Sequence, residues 1–105
     1  MDDIRIDVGV DTILEVDLST MDFTGVESVV FTVKNMLSVK AEPIVERTLT
    51  EAKKYALIIT AEESLLVNQN AQYDFQKILL DGTRLKITDN GKVILRKSVG
   101  DKFDD

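Results

Sequence analysis

Short runs of strict period-two alternation, each closed by a turn signal, narrow this chain to one fold class more than any other feature. In Asp11–Leu18 the side chains of Leu14, Val16 and Leu18 fall on one face and those of Ile13, Glu15 and Asp17 on the other, as a half-buried strand requires. Val26–Asn35 repeats the pattern, with Val29, Phe31 and Val33 opposite Ser28, Val30, Thr32 and Lys34, after a turn at Asp22-Phe23-Thr24-Gly25. Ile4–Val8 reads as a leading strand, and Gly9 allows a bend or bulge before the next. Met36–Glu42 alternates weakly and Pro43 removes a ladder donor, which predicts a loop into an edge strand, Ile44–Thr50. Lys54–Thr60 sets Tyr55, Leu57 and Ile59 on one face, and its unbroken apolar run Ala56–Ile59 predicts cover from both sides and a central place.

Thr60-Ala61-Glu62-Glu63 is a capping box, so a helix of about two turns is expected over Ala61–Val67. Leu65 and Leu66 are expected to dock it across the open end of the fold, and Asn68-Gln69-Asn70 to end it in a left-handed conformation. Strand runs follow at Ala71–Leu80, Arg84–Thr88 and Lys92–Val99, punctuated by Asp81-Gly82 and Asn90-Gly91. Gly91 is expected to bend the chain so that Arg84–Thr88 pairs with the Tyr73 strand while Lys92–Val99 takes another partner. A two-residue hairpin at Asn90-Gly91 is the competing topology.

The pattern predicts an all-β, Ig-like antiparallel β-sandwich of about seven strands with one short helix near residues 61–67. Its expected core is Leu14, Val16, Val29, Phe31, Val33, Leu57, Ile59, Tyr73, Phe75, Ile87, Val93 and Leu95. At 105 residues the chain can bury one core. Residues 1–100 are read as a single domain and residues 101–105 as an acidic tail that frays.

The sequence contains neither cysteine nor histidine. A disulfide framework, a thiolate metal site and the commonest general base are therefore excluded. Among 19 acidic residues some pair always lies close by chance, and no pair is marked as catalytic. Ser19, Ser28, Ser38, Ser64 and Ser98 lack a nucleophile-elbow setting. Asp81-Gly82 and Asp89-Asn90-Gly91 lack the spacing of a twelve-residue calcium loop and read as turns. No catalytic, cofactor-binding or metal residues are assigned, and no enzyme activity, cofactor or small-molecule substrate is expected.

The net charge of −6 sits in the first half, where residues 1–52 carry 4 basic against 11 acidic side chains, while residues 53–105 carry 9 against 8. A field of that sign repels phosphate backbones, so nucleic acid is not an expected partner. Lys86, Lys92, Arg96 and Lys97 place positive charge on the last two strands, without the interleaved aromatics of a single-strand platform. They read as a solvated face or a patch that meets an acidic neighbour. The N-terminus lacks the features of a secretory signal and no apolar run reaches membrane-spanning length, so synthesis in a cytoplasm and no membrane contact are expected.

Ala71-Gln72-Tyr73-Asp74-Phe75 is the most specific local signal. In Ig-like sandwiches a tyrosine at the start of strand F is buried and pins the E–F corner, and Tyr73 stands at that place. Phe75 occupies the position of the antibody cysteine, and no tryptophan is available for strand C.

These residues stand in a longer order: Asp11-Thr12 before an alternating strand, Asp22-Phe23-Thr24-Gly25, Leu57-Ile58-Ile59-Thr60-Ala61-Glu62-Glu63, Tyr73-Asp74-Phe75, Asp81-Gly82 and Gly91-Lys92-Val93. In that order, over roughly Asp11–Val99, the chain resembles the small β-sandwich domains of tailed-phage virion proteins, especially the N-terminal domain of the baseplate upper protein family. It departs from the family pattern where Val10, not glycine, precedes Asp11-Thr12, and where Asn70-Ala71-Gln72 stands in place of a glycine before the tyrosine. The resemblance implies a non-enzymatic structural or assembly module of a phage or prophage-encoded particle, made in the host cytoplasm and placed in the virion tail or baseplate. Its expected partners are other tail or baseplate proteins, with a homo-oligomer as a further option, and no catalytic residues carry over.

Edge strands, Ile44–Thr50 or Ile4–Val8, are the expected contact points. The alternative is a ligand-binding sandwich that recognises a glycan or a bacterial surface. Tyr55 or Phe23 flat on an exposed groove favours that alternative, and both buried favours assembly.

Overall fold

A computed structural model describes residues 3–36, 41–87 and 91–97. Its elements are β1 (Ile4–Val8), β2 (Thr12–Asp17), β3 (Val26–Lys34), β4 (Val45–Leu49), β5 (Lys54–Ile59), α1 (Ala61–Leu66), β6 (Gln72–Leu79), β7 (Arg84–Lys86) and β8 (Gly91–Lys97). Each falls in a run that alternation or capping marked. The expected tail at 101–105, Thr88 and the Ser98-Val99 end of the last strand lie outside the described residues.

The fold is all-β and sandwich-like. A six-stranded sheet runs β1-β8-β6-β3-β4, with β7 also on β6, and a two-stranded sheet pairs β2 with β5. This is the division of an Ig-like sandwich, in which strands B and E share one layer and C, C′, F and G the other. Among the described residues no further strand flanks β2 and β5.

One edge of β6 pairs with β3 from Gln72 to Leu79. Its other edge is shared: β8 takes Gln72 and Tyr73, and β7 takes Gln76, Lys77 and Ile78. Both last strands therefore pair with β6, and β8 takes β1 as a further partner, so the expected change of partner holds only in part; no β7–β8 ladder forms among the described residues. Asn90 itself lies outside them. Splitting this edge raises the strand number above the expected seven.

The pairing is not wholly antiparallel. β1 joins β8 in parallel register, Ile4 opposite Val93 and Val8 opposite Lys97. Gly9, at φ +86°, turns the chain from β1 into the other layer, so β1 cannot fold back on itself and closes the sheet beside the last strand instead.

Val29, Phe31, Val33 and Ile59 are fully enclosed, and Leu57, Tyr73 and Val93 are buried with them. Leu14, Val16, Phe75 and Leu95 are half-buried and pack against this core. The enclosed Ile6, Val45 and Leu49, with Val67 and Ala71, complete the core beyond expectation. Val30 is buried although it points away from the interior, because β3 is central and Thr48 of β4 and Gln76 of β6 flank it.

Four expectations fail, on the burial of Ile87, the place of β5, and the seating and the end of the helix. Ile87 is 41 % exposed. Its amide bonds Phe75 O, so it lies on the core-facing side of the sheet, but among the described residues the layer opposite is only β2 and β5 and does not cover β7. β5 is not central, since among the described residues it pairs with β2 alone and its Ile58 is 49 % exposed.

The helix also does not dock through Leu65 and Leu66, which are exposed. Ser64 seats it instead, accepting from Gly9 N–H at 2.9 Å and donating to Ala61 O at 2.6 Å. Its last residue is followed by Val67 in extended backbone, with no left-handed asparagine. Asn35, at the end of β3, closes that terminus by donating to Leu66 O and accepting from Asn68 N–H.

Candidate functional site

The sequence named no catalytic residues, and what the fold leaves open is strand edges and apolar faces. β1 and β4 are the edges of the large sheet, as expected. β2 and β5 form a ribbon whose outer edges meet no other strand among the described residues.

The backbone of that ribbon is assigned by its register. Leu18 N–H donates to Lys53 O, and Thr12 to Asp17 stand opposite Ile59 to Lys54. In an antiparallel ladder the bonded pairs alternate, so Thr12, Leu14 and Val16 bond to β5 while Ile13, Glu15 and Asp17 direct their N–H and C=O groups to the free edge. The matching free-edge residues of β5 are Lys54, Ala56 and Ile58.

Arg47 covers part of the β5 edge. Its Nη2 donates to Ile58 O at 3.0 Å and to Glu63 Oε1 at 2.6 Å, joining β4, β5 and α1. Glu63 closes the capping box from the same atom, accepting from Thr60 N–H at 2.9 Å while Thr60 Oγ1 accepts from Glu63 N–H at 3.1 Å. Among the described residues β2 has no such cover.

The side chains beside the β2 edge are apolar at one end. Ile13 and Ile58 face each other across the ribbon on its outer surface, 64 % and 49 % exposed. Glu15, Ala56, Asp17 and Lys54 continue that face. Alternation had already set Ile13 among polar neighbours, which is the sequence signal for an exposed isoleucine; nothing local announced Arg47.

Glu15, Val16, Asp17, Lys54, Tyr55 and Ala56 line an open groove of about 590 Å³ at the other end of the ribbon. Tyr55 and Phe23 are both half-buried. Tyr55 is not a free platform, because its hydroxyl accepts from Glu51 N–H at 2.9 Å and Lys53 Nζ lies 5.1 Å from its ring centre. Of the basic residues on the last strands, Arg96 is paired with Asp7 at 2.8 Å and Lys92 is exposed. The side chain of Lys97 lies outside the described residues.

The turns carry their own carboxylates. The Ser19 hydroxyl and amide hold the Asp17 carboxyl below its ordinary value, the Thr24 amide and hydroxyl do so for Asp22, and the Thr83 hydroxyl and amide for Asp81. Asp81 is thus a turn residue, as the Asp81-Gly82 pair implied. Partial burial pushes Glu63 up, yet hydrogen bonds from Thr60 and Arg47 outweigh it and bring its pKa below 4.5.

A carboxyl depressed in the fold stabilises it above the unfolded pKa and loses that contribution as pH falls through the folded value. Glu63→Gln keeps the capping geometry but removes the charge, and is expected to lower stability at neutral pH by about 1 kcal/mol. Urea midpoints of the two proteins should converge as pH drops below 4.5. A gap that widens on acidification contradicts this assignment.

No group of acidic residues among the described ones is placed to hold a metal ion, and no helix there is long and apolar enough to cross a membrane. Compared with known proteins, the chain matches no family model, and no curated protein matches it.

Proposed function

We propose that this chain is a non-enzymatic structural module of a phage-type particle, docking to tail or baseplate proteins through its surface. The observation that carries the reading is the open β2 edge: the outward backbone groups of Ile13, Glu15 and Asp17 meet no other strand among the described residues and run beside the exposed Ile13–Ile58 pair. A partner strand laid there gains ladder hydrogen bonds and covers apolar surface at once. The motif order shared with baseplate upper protein N-terminal domains supports a tail or baseplate as the setting. On this reading the protein acts in the virion.

The test is co-elution of the chain with the products of its neighbouring genes. A stable complex with one of them, lost in the Ile13→Glu/Ile58→Glu variant, is the expected result. Failure to bind any of them contradicts the proposal.

The groove at Tyr55 favours a second reading, recognition of a glycan by Tyr55 with Glu15, Asp17 and Lys54. Binding on a glycan array that Tyr55→Ala abolishes is its signature. The tie from Tyr55 to Glu51 and Lys53 counts against it, since a sugar has to displace both.

A further inference from the structure

The two layers of the sandwich differ in width, and one strand position is left open beside the narrower. Arg47 of β4 donates to Ile58 O on the outer edge of β5, so β5 lies over the β4 side of the large sheet and β2 over its middle. With strands about 4.8 Å apart in both layers, the next position beyond β2 lies above β7. No described strand fills it.

The side chains around this slot record it. Leu57 and Ile59, which point inward from β5, are buried, whereas Leu14 and Val16, which do so from β2, are only half-buried. Leu85 and Ile87 form the floor, 42 % and 41 % exposed. Leu85 faces inward because it pairs with Lys77, which pairs in turn with the enclosed Val29. At its upper end the slot is closed where Asp7 N–H donates to Thr12 Oγ1 and Gly9 N–H to Ser64 Oγ, both at 2.9 Å. From Ile13 to Asp17 it runs open for about 17 Å.

The charges beside it have one sign. On the outer face of the β2 edge, the residues next to an incoming strand are Ile13, Glu15 and Asp17, two acids and no base. Lys54, opposite Asp17, is the one base on that face of the ribbon and lies a strand further away. On the floor Lys77 is offset by Asp22 of the neighbouring loop. Arg84 and Lys86 stand opposite Ile78 and Gln76 on the outward side of the large sheet. Asp11 and Asp81 accept from Ala61 N–H and Thr83 N–H, Glu51 pairs with Lys53, and Glu27 lies on β3, beyond β6.

We propose that this slot takes an extended segment of another protein, apolar on the side that meets Leu85 and Ile87 and basic on the side beside Glu15 and Asp17. Such a segment bonds the outward backbone groups of β2, and its alternate side chains point to the floor and to the acids in turn. Opposite charges across a strand pair stabilise it and like charges destabilise it, so charge chooses the occupant. A folded copy of the chain does not fit. The inward side chains of its edge strands, Ile6 of β1 and Val45 and Leu49 of β4, are enclosed in its own core. β2 laid antiparallel on its own copy about Glu15 sets Glu15 against Glu15 and Ile13 against Asp17. The chain's own segment 98–105 carries Asp101, Asp104 and Asp105 against Lys102 and is repelled by the same acids. The inference rests on the reading of β2 as a docking edge and names the chemistry of what docks.

Anisotropy titrations with three labelled peptides test it: Lys-Val-Lys-Val-Lys-Val-Lys, the same peptide with Glu for every Lys, and the block peptide Lys-Lys-Lys-Lys-Val-Val-Val. The wild type is expected to bind the alternating lysine peptide roughly tenfold or more tightly than either of the others. Glu15→Lys should remove the preference for lysine over glutamate, and Leu85→Ser/Ile87→Ser should weaken the lysine peptide by a similar factor. All three positions are exposed, and unchanged far-UV circular dichroism and thermal melts certify the folds.

Equal binding of the two lysine peptides, which is what net charge alone produces, overturns the inference. So does a wild type that binds none of the three, or folded variants that bind like the wild type. The comparison on the wild type needs no substitution and decides even where a variant unfolds. A neighbouring-gene partner that depends on Ile13 and Ile58, found together with no peptide preference, keeps the docking edge and overturns this partner chemistry; a peptide preference without any such partner does the reverse.

Discussion

Replacing Phe31 with alanine is expected to cost about 3–5 kcal/mol, enough to bring a domain of this size close to unfolding. Phe31 is fully enclosed at the middle of β3, the strand that β4 and β6 flank on either side. Its ring centre lies 5.1 Å from that of Phe75 and 5.9 Å from that of Tyr73, so truncation empties the centre of a three-ring cluster. The cavity cannot collapse easily, since β3 is held through ladders on both edges.

At about 4–8 °C per kcal/mol, the melting midpoint should fall by roughly 15 °C or more. Phe31→Leu, which keeps most of the volume, should cost less than about 1.5 kcal/mol. Leu66→Ala, at a side chain 62 % exposed, should stay within about 0.5 kcal/mol of the wild type. Thermal and urea unfolding of the three variants separates buried packing from mere apolar character. A Phe31→Ala protein that melts within a few degrees of the wild type contradicts this account of the core.

What was legible in the sequence follows the range of the forces involved. The capping box at Thr60 and Glu63 involves atoms three residues apart, so it could be read directly, and its two hydrogen bonds form as expected. Val29, Phe31 and Val33 were legible because they share the core-facing side of β3, although Val30 on its other side is buried as well. Tyr73 could be assigned to the interior for its position after the helix, and it is 4 % exposed.

The failures share a cause: burial depends on what stands opposite, which no local pattern records. Ile87 was assigned to a core that the narrow β2–β5 layer does not reach. The run Ala56–Ile59 resembled a strand covered on both faces, yet Ile58 stands at an open edge with only Arg47 across it. Ser64, for which the sequence suggested no structural part, is 1 % exposed and accepts from a glycine amide 55 residues earlier. The surfaces proposed for docking emerge from these same places, where one layer stops short of the other.

Gly91→Ala is the second large effect expected, and its sign is diagnostic. A methyl group at Gly91 would stand 2.5 Å from Tyr73 Cζ and 2.8 Å from its hydroxyl oxygen. Neither partner can withdraw. The Tyr73 ring is 4 % exposed and meets Phe75 edge-on at 6.2 Å, while Gly91 is fixed opposite Tyr73 in the β6–β8 register and Val93 N–H bonds Ala71 O.

Backbone entropy alone predicts that an alanine here stabilises the protein by about 0.4–1 kcal/mol, because it restricts the unfolded chain. Overpacking against an immobile ring predicts a loss of about 1–3 kcal/mol, and the contact distances make the second term win. Urea unfolding of Gly91→Ala should therefore show a lower midpoint. In a Tyr73→Leu background, which lacks the ring atoms that crowd Gly91, the same substitution should cost far less, with a coupling energy of about 0.5–3 kcal/mol. Additive effects, or a stabilised single variant, would mean that the ring does not rest on Gly91. In that case the start of β8 would have no steric reason to be glycine, and its departure from β6 toward β1 would need another cause.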